Sequence, residues 1–418
     1  MNRIIAAVLA AGACAGSAHA QAQTERAAPV RTLSLAALLD MANGKAPATE
    51  AAQASVDAAR AGRTIAGLRP NPTAQTQVEN VAGSNSYGGF QQAETTVMLN
   101  VPIELGRKRS ARIAQADART DRALIEAAVA QADLRYQVTQ LYIDAVAALR
   151  RQDIARDQLR IARDALNAAQ VRVRSGRASP LEEQRADVAR INAQTGLDQA
   201  GRLAQAARDN LARRIGRSID GTLDPRVIDE LPAATIGPVA PAPTEGTLAM
   251  AAARADVAIL SAGVQVARSQ RVPDITVGPG LRRLSATNDT ALVFSVSVPL
   301  PLFNGGRAAV AQAVAEQSRA EALQRLTEQE IAQAITGAQA EVDNAATAAR
   351  AASGPALEAA QEAARIARIG YREGKFGQLD LLDAERTLAQ TRVAAIDALA
   401  AYHNARARLE RLTARAPE

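Results

Sequence analysis

Thiols and imidazoles, the side chains most used for nucleophilic, redox and metal chemistry, are nearly absent: 418 residues contain one Cys and two His. Cys14 and His19 both fall in a leader-like start, where Arg3 precedes an apolar run from Ile4 to about Ala15 and Ala18-His19-Ala20 precede Gln21. That run is too short to span a bilayer as a helix and ends in a small-x-small pattern, so residues 1–20 are expected to be a cleaved secretory signal. A mature chain from Gln21 holds no Cys and only His403. It can form no disulfide, and it lacks the converging ligands that a transition-metal site needs. His403 is expected on a helix surface. Lipid attachment at Cys14 is an alternative, because Ala11-Gly12-Ala13 precede it, although no large aliphatic residue stands three positions before it. No nucleophile–base pair or phosphate loop appears. An enzyme is therefore not expected, nor a cofactor or a resident metal.

What remains are residues that act through backbone shape and charge, and these sit on long repeated elements. Aromatic residues are 2% of the chain, Trp is absent, and the 48% hydrophobic content is dominated by Ala. Such composition suits long helices packed closely side by side. The net charge of +6 is carried mostly by Arg interleaved with Glu and Asp. Nucleic-acid binding would need a basic cluster with stacking aromatics, so no nucleic-acid partner is expected.

Three landmarks recur in one order at an offset of about 200 residues, as a duplication produces. Arg69-Pro70-Asn71-Pro72 resembles Arg271-Val272-Pro273-Asp274. Val101-Pro102-Ile103-Glu104-Leu105-Gly106-Arg107 resembles Val298-Pro299-Leu300-Pro301-Leu302 with Gly305-Gly306-Arg307. Val173-Arg174-Ser175-Gly176-Arg177 with Leu181-Glu182 resembles Tyr371-Arg372-Glu373-Gly374-Lys375 with Leu379-Asp380. The repeats are read as 21–217 and 246–418, joined by a Pro-rich linker or irregular surface segment at 218–245.

Each repeat reads as a strand pair followed by a helical hairpin. Positions 134, 138, 141, 145, 148, 152, 155, 159, 162, 166, 169 and 173 are apolar or small except Gln152, an alternating four-and-three seam for close helix approach. A helix from Arg107 to Arg174 would be about 100 Å long at 1.5 Å per residue. Gly176 permits a left-handed cap, Ser179 can cap the next helix and Pro180 fits its first turn. The hairpins are placed at about 106–216 and 306–413, the second turning around Gly374 and Gly377, with a kink at Ser353-Gly354-Pro355. Strand pairs are placed at about 73–101 and 275–298. Val97, Leu99 and Val101 alternate with Thr96, Met98 and Asn100; Leu292, Phe294 and Val296 alternate with Val293, Ser295 and Ser297. That pattern fits strands between lipid and a watery lumen, or a solvated hairpin packed on the helices. If they span a membrane the sheet must close, and four strands are too few; several copies must share one barrel. Three copies give twelve strands, while closure alone also allows two or four.

The proline-marked strand ends at Pro102 and Pro299, the glycine entries Gly106 and Gly306, and the hairpin tips at Gly176 and Gly374 resemble the TolC-like outer-membrane efflux family over nearly the whole mature chain. Glu104-Leu105-Gly106-Arg107, Pro70-Asn71-Pro72 and Pro299-Leu300-Pro301-Leu302-Phe303-Asn304 look like its CzcC branch, which serves heavy-metal efflux. The resemblance implies a homotrimeric duct in outer-membrane lipid: a shared 12-stranded β-barrel continued by a helical α-barrel in the periplasm. It also implies docking on a periplasmic membrane-fusion adaptor and an inner-membrane proton-driven pump of the resistance-nodulation-division type. The tips would then be the periplasmic gate and docking site, at Gly176, Arg177, Glu182 and Glu183, and at Gly374, Lys375, Phe376, Asp380 and Asp383. Glu182 and Asp380 fall where some relatives close the pore with ion pairs, and Arg177 and Lys375 are candidate partners; the alternative for each is an exposed charge that only caps a helix start. Phe376 replaces a basic gating residue of certain relatives. A drug-efflux or protein-secretion channel of the same fold is the alternative. A periplasmic adaptor is the alternative from another class, but it would have one hairpin rather than two.

Overall fold

The computed structural model describes residues 32–43, 46–231 and 243–417. The expected signal, Cys14, and Pro232, Pro238 and Pro241 lie outside the described residues. In chain order the elements are β1 (Thr32–Leu33), α1 (Leu35–Ala42), α2 (Pro47–Ala66), β2 (Thr73–Glu79), β3 (Glu94–Ile103), α3 (Lys108–Arg174) and α4 (Pro180–Ile215). There follow β4 (Thr222–Leu223), α5 (Leu248–Ser269), β5 (Ile275–Leu284), β6 (Thr290–Ser297), α6 (Arg307–Ser353), α7 (Pro355–Arg372) and α8 (Gln378–Leu412). The chain is mainly helical, with one four-stranded sheet.

α3 is unbroken for 67 residues, about 100 Å at the helical rise. Its seam holds: none of the twelve positions from Leu134 to Val173 is exposed. Gln152, the one polar member, lies where a Cβ on Gly201 of α4 would come within 3.2 Å of its Nε2. Small residues such as Ala145, Ala148, Ala169, Ala186 and Ala204 fill the contacts, which lets the helices approach closely without large side chains. In the second repeat Gly354 interrupts the incoming helix as expected, and Pro355 restarts it as the first residue of α7.

α2 and α5 precede the strand pairs and were not separated from the rest of the repeats by sequence. Each packs beside a long helix, α2 on α3, and α5 between α3 and α6. Their start signals were present: Pro47 opens α2, and the Thr247 hydroxyl accepts from the Met250 amide at the start of α5.

The main core forms a belt around the middle of the long helices. Tyr142 is fully buried there, donating to the Leu33 carbonyl at 3.1 Å and accepting from the Asp224 amide at 3.2 Å. β1 pairs in parallel with β4 beside it. Ile219, Leu223 and Ile228, from the stretch read as a linker or irregular surface segment, enter this core. One expectation is corrected here. His403 does not lie on a surface; it is 9% exposed, because the turn at Pro225–Asp229 folds over α8 and brings the Ile228 carbonyl 3.1 Å from His403 Nε2. Burial pushes the imidazole below its usual value and keeps it neutral near pH 7, outweighing the bond to Ile228.

The sheet runs β2-β3-β5-β6, antiparallel throughout, so the two repeats meet at β3 and β5. Among the described residues its outer edges, β2 and β6, have no further strand partner. One face carries Val97, Leu99, Leu281, Leu292, Phe294 and Val296, all exposed, with Leu292 at 88%. The opposite face is polar, with Gln75 bonded to Asn100 at 2.9 Å and Ser295 donating to the Gly278 carbonyl.

Candidate functional site

The hairpin tips are built by the same capping chemistry in both repeats. After α3 the amides of Gly176 and Arg177 bond back to the carbonyls of Val173 and Arg172, at 3.0 and 2.8 Å. After α7 the amides of Gly374 and Lys375 bond to Tyr371 and Gly370, at 3.2 and 2.8 Å. Both are left-handed glycine caps, with φ of 71° at Gly176 and 72° at Gly374. The restarts differ. Ser179 accepts the Leu181 amide ahead of Pro180, whereas Asp380 Oδ2 accepts the Gly377 amide at 2.9 Å. Asp380 therefore caps α8, and Glu182 and Glu183 lie in the first turn of α4, where carboxylates favour the positive helix end.

The tips touch each other within one chain. Gln378, buried at the start of α8, donates to the Glu182 carbonyl, and the Arg172 guanidinium lies 5.1 Å from the Tyr371 ring centroid. One carboxylate oxygen of Glu182 is enclosed without a hydrogen-bond partner among the described residues. Among the described residues, Arg177 and Lys375 form no ion pair with Glu182 or Asp380. Asp383 is exposed on the flank of α8. Phe376 folds back over Gly370, where any Cβ would collide with its ring.

Above the second tip, Arg368 of α7 grips Glu385 of α8 with two hydrogen bonds, the longer at 2.8 Å. The pair faces a cleft of about 570 Å³ between the two hairpins, also lined by Asp157, Arg160, Tyr371 and Arg392. The matching places in the first hairpin hold Gln170 and Asp187, and Asp187 pairs locally with Arg190 instead. Sequence reading missed this lock because Arg and Glu at exposed-looking helix positions carry no signal of their partner. Since Glu385 is buried and Arg368 half exposed, Glu385→Ala is expected to loosen α7 from α8 by about 1–2 kcal/mol. Faster amide exchange confined to 360–390 would show it; unchanged exchange would contradict it.

At the other end of the long helices lie the strand-to-helix turns. Pro102 sits inside β3, paired in register with Thr276, and the strand continues to Ile103. Gly106 turns the chain with φ of 69°, close against Ser269 and Val272 of the second repeat. Asp274 accepts the Leu105 amide at 3.0 Å and the Lys108 ammonium at 2.8 Å. Arg112 forks onto Glu104 and also donates to the Leu68 and Ala66 carbonyls, while Arg109 donates to Gly67 at 2.6 Å. The second turn is barer. Asn304 receives the Gly306 amide, Arg271 donates to Gly305, and the 299–305 stretch, Pro299 included, is exposed throughout.

The described residues thus form two duplicated long hairpins joined to a four-stranded sheet with one exposed apolar face. The family model for outer membrane efflux proteins matches residues 38–217 and 245–415. The chain belongs to this family. It is accordingly an outer-membrane efflux protein, and its family works by passage, not by bond-making chemistry. Channels of the family operate in tripartite systems with an adaptor and an inner-membrane pump. The chain is 30% identical to the cobalt-zinc-cadmium resistance protein CzcC of Cupriavidus metallidurans, over 92% of this chain and 90% of CzcC. It is 32% identical to the nickel and cobalt resistance protein CnrC of the same organism over 68% of each. Among solved structures, the outer membrane protein VceC of Vibrio cholerae superposes with a TM-score of 0.73 at 19% identity, over 92% of this chain and 97% of VceC. CusC superposes with a TM-score of 0.73 at 18% identity, over 93% of each. These likenesses bear out the TolC-like fold expected from the motifs.

Proposed function

We propose that three copies of this outer-membrane efflux protein close one twelve-stranded barrel and export heavy-metal cations. The observation that carries the reading is the sheet with two open edges and an exposed apolar face. Such edges are intolerable in hydrocarbon unless another copy pairs with them. β2 and β6 run antiparallel to each other, so β6 of one copy can continue onto β2 of the next without breaking the alternation. The long hairpins continue the ring as a periplasmic tunnel. A metal cargo is supported by the relatives, which are named for cobalt, zinc, cadmium and nickel resistance. Metal ions would be passengers here, which suits a chain whose described residues contain no cluster of metal-ligating side chains.

The tips, Gly176 to Glu183 and Gly374 to Asp383, are the parts assigned to adaptor docking and gating, in a system driven by an inner-membrane proton-driven pump. A deletion strain should lose tolerance to cobalt, zinc or cadmium and regain it with the gene, and the protein should run as a trimer on unheated gels. Unaltered tolerance to all three metals would remove the cargo assignment, and a soluble periplasmic monomer would remove the channel. Glu182→Ala should raise resting conductance in planar bilayers several-fold, since it takes a carboxylate from the narrowest part of the tunnel. Unchanged conductance would leave Glu182 as a helix-start charge only.

A further inference from the structure

Along their whole length the four strands carry only Glu79, Glu94, Arg282 and Arg283 as charged residues. All four stand at the end of the sheet far from the helices, beside the loops at 80–93 and 285–289. Register and alternation divide them. Glu79 faces Glu94, and Arg282 faces Thr96, on the polar side of the sheet; Arg283 faces Thr95 on the apolar side, where it donates to Asn288 at 2.8 Å.

Two carboxylates directly opposite one another on neighbouring strands repel. Arg282 answers both. Its Nη1 donates to Glu94 Oε2 at 2.9 Å, its Nη2 lies 3.6 Å from Glu79 Oε2, and its Nε donates to Thr96 Oγ1 at 2.9 Å. One side chain on β5 thus ties β2 and β3 together. Towards the helices the same face continues through Gln77, Gln75, Met98 and Asn100 without another charge.

Resting on the barrel reading above, the apolar face meets lipid and the polar face lines the lumen. We infer that Glu79, Glu94 and Arg282 form the charge filter of the outer mouth, with Arg282 as the residue that sets its strength. The guanidinium cancels one carboxylate, leaving one negative charge per chain as the net fixed charge on the lumenal wall of the sheet. A ring of such charges favours departing cations, and a fixed cation among the carboxylates limits how tightly the exit holds them.

Charge arithmetic makes the test. Purified trimers in planar bilayers are compared under a KCl gradient at or below ~0.1 M, where the Debye length of ~10 Å keeps the filter from being screened out. Arg282→Gln, which doubles the net negative charge, should raise the K⁺ to Cl⁻ permeability ratio by about twofold or more. Glu94→Gln, which brings the site to neutrality, should lower it by a similar factor. The double variant Arg282→Gln with Glu94→Gln restores the native net charge and should return the native ratio. Equal ratios in wild type and both single variants, with normal trimers and conductance, would overturn the filter. If Arg282→Gln forms no trimer, Arg282→Lys must restore both trimer and ratio, and Glu94→Gln alone then decides. A wild-type protein that never conducts refutes the channel reading instead.

Discussion

Gly106→Val is expected to abolish the proposed trimer, read on unheated gels, and with it the proposed metal tolerance, although it lies far from both tips. Two costs add at this position. The backbone is left-handed, with φ of 69°, which costs a β-branched residue about 1–3 kcal/mol. A Cβ would also stand 2.9 Å from the Ser269 carbonyl oxygen and 2.7 Å from Val272 Cβ. The first of these is backbone at the end of α5 and cannot swing away, so overpacking adds about 1–3 kcal/mol. The summed loss of several kcal/mol is a large part of the margin by which folded domains exist. Gly374→Val supplies the internal comparison. Its φ is 72°, but among the described residues no atom beyond its own chain neighbours lies within 4 Å of the added Cβ, so only the backbone strain applies. That variant should assemble but lose adaptor crosslinking, and intact crosslinking would contradict a docking role for the tip. Thermal melts and unheated gels of the two side by side are the check, and equal stability would refute the close approach at Gly106.

Asp274→Leu should be nearly as damaging. Lys108 is only 6% exposed, and its ammonium has Asp274 as its ion-pair partner across the seam between the repeats. Removing the carboxylate leaves a buried charge uncompensated, at a cost of about 3–5 kcal/mol, and also orphans the Leu105 amide. Replacing both, Asp274→Leu with Lys108→Met, should recover most of the loss, because an apolar pair of similar volume need not be desolvated. Recovery in the double variant but not in Asp274→Leu alone identifies the pair as the cause; equal melting of single and double variants would contradict it. pH gives a second check. Burial alone would raise the Asp274 carboxyl, but the bonds from Lys108 and the Leu105 amide outweigh it and hold it below its ordinary value. A carboxyl depressed in the folded state stabilises at pH above its unfolded value of ~3.9 and loses that contribution as pH falls through the lower folded value. Wild type and Asp274→Leu should therefore differ most near neutrality and converge in strong acid.

Much of the fold was legible because its signals are local. Gly176 and Gly374 announced caps, since left-handed backbone is costly for other residues, and both caps form as read. The period-two run from Thr95 to Val101 and the seam from Leu134 to Val173 each needed only their own spacing. Roles at the tips were less legible. Asp380, read as a gating carboxylate or a helix-start cap, accepts its own helix's Gly377 amide, and Phe376 shields Gly370. Short polar residues after a glycine turn look alike whether they cap or gate, because both need an exposed acceptor at a helix start. His403 was misplaced for a different reason. Its burial comes from the turn at Pro225–Asp229, far away along the chain.

By itself the sequence determined the duplication, the alternation that puts one apolar face on β3 and β6, the hairpin turns and the poverty in Cys and His. These depend on residue type and period within a few turns of chain, where backbone sterics and burial act directly. Only the tertiary structure decided which distant charges meet: Asp274 with Lys108, Glu385 with Arg368, and Arg282 with Glu79, Glu94 and Thr96. A charged side chain finds its partner through strand register and helix crossing, which no local period encodes. The two repeats share a plan for that reason, yet they are fastened by different contacts.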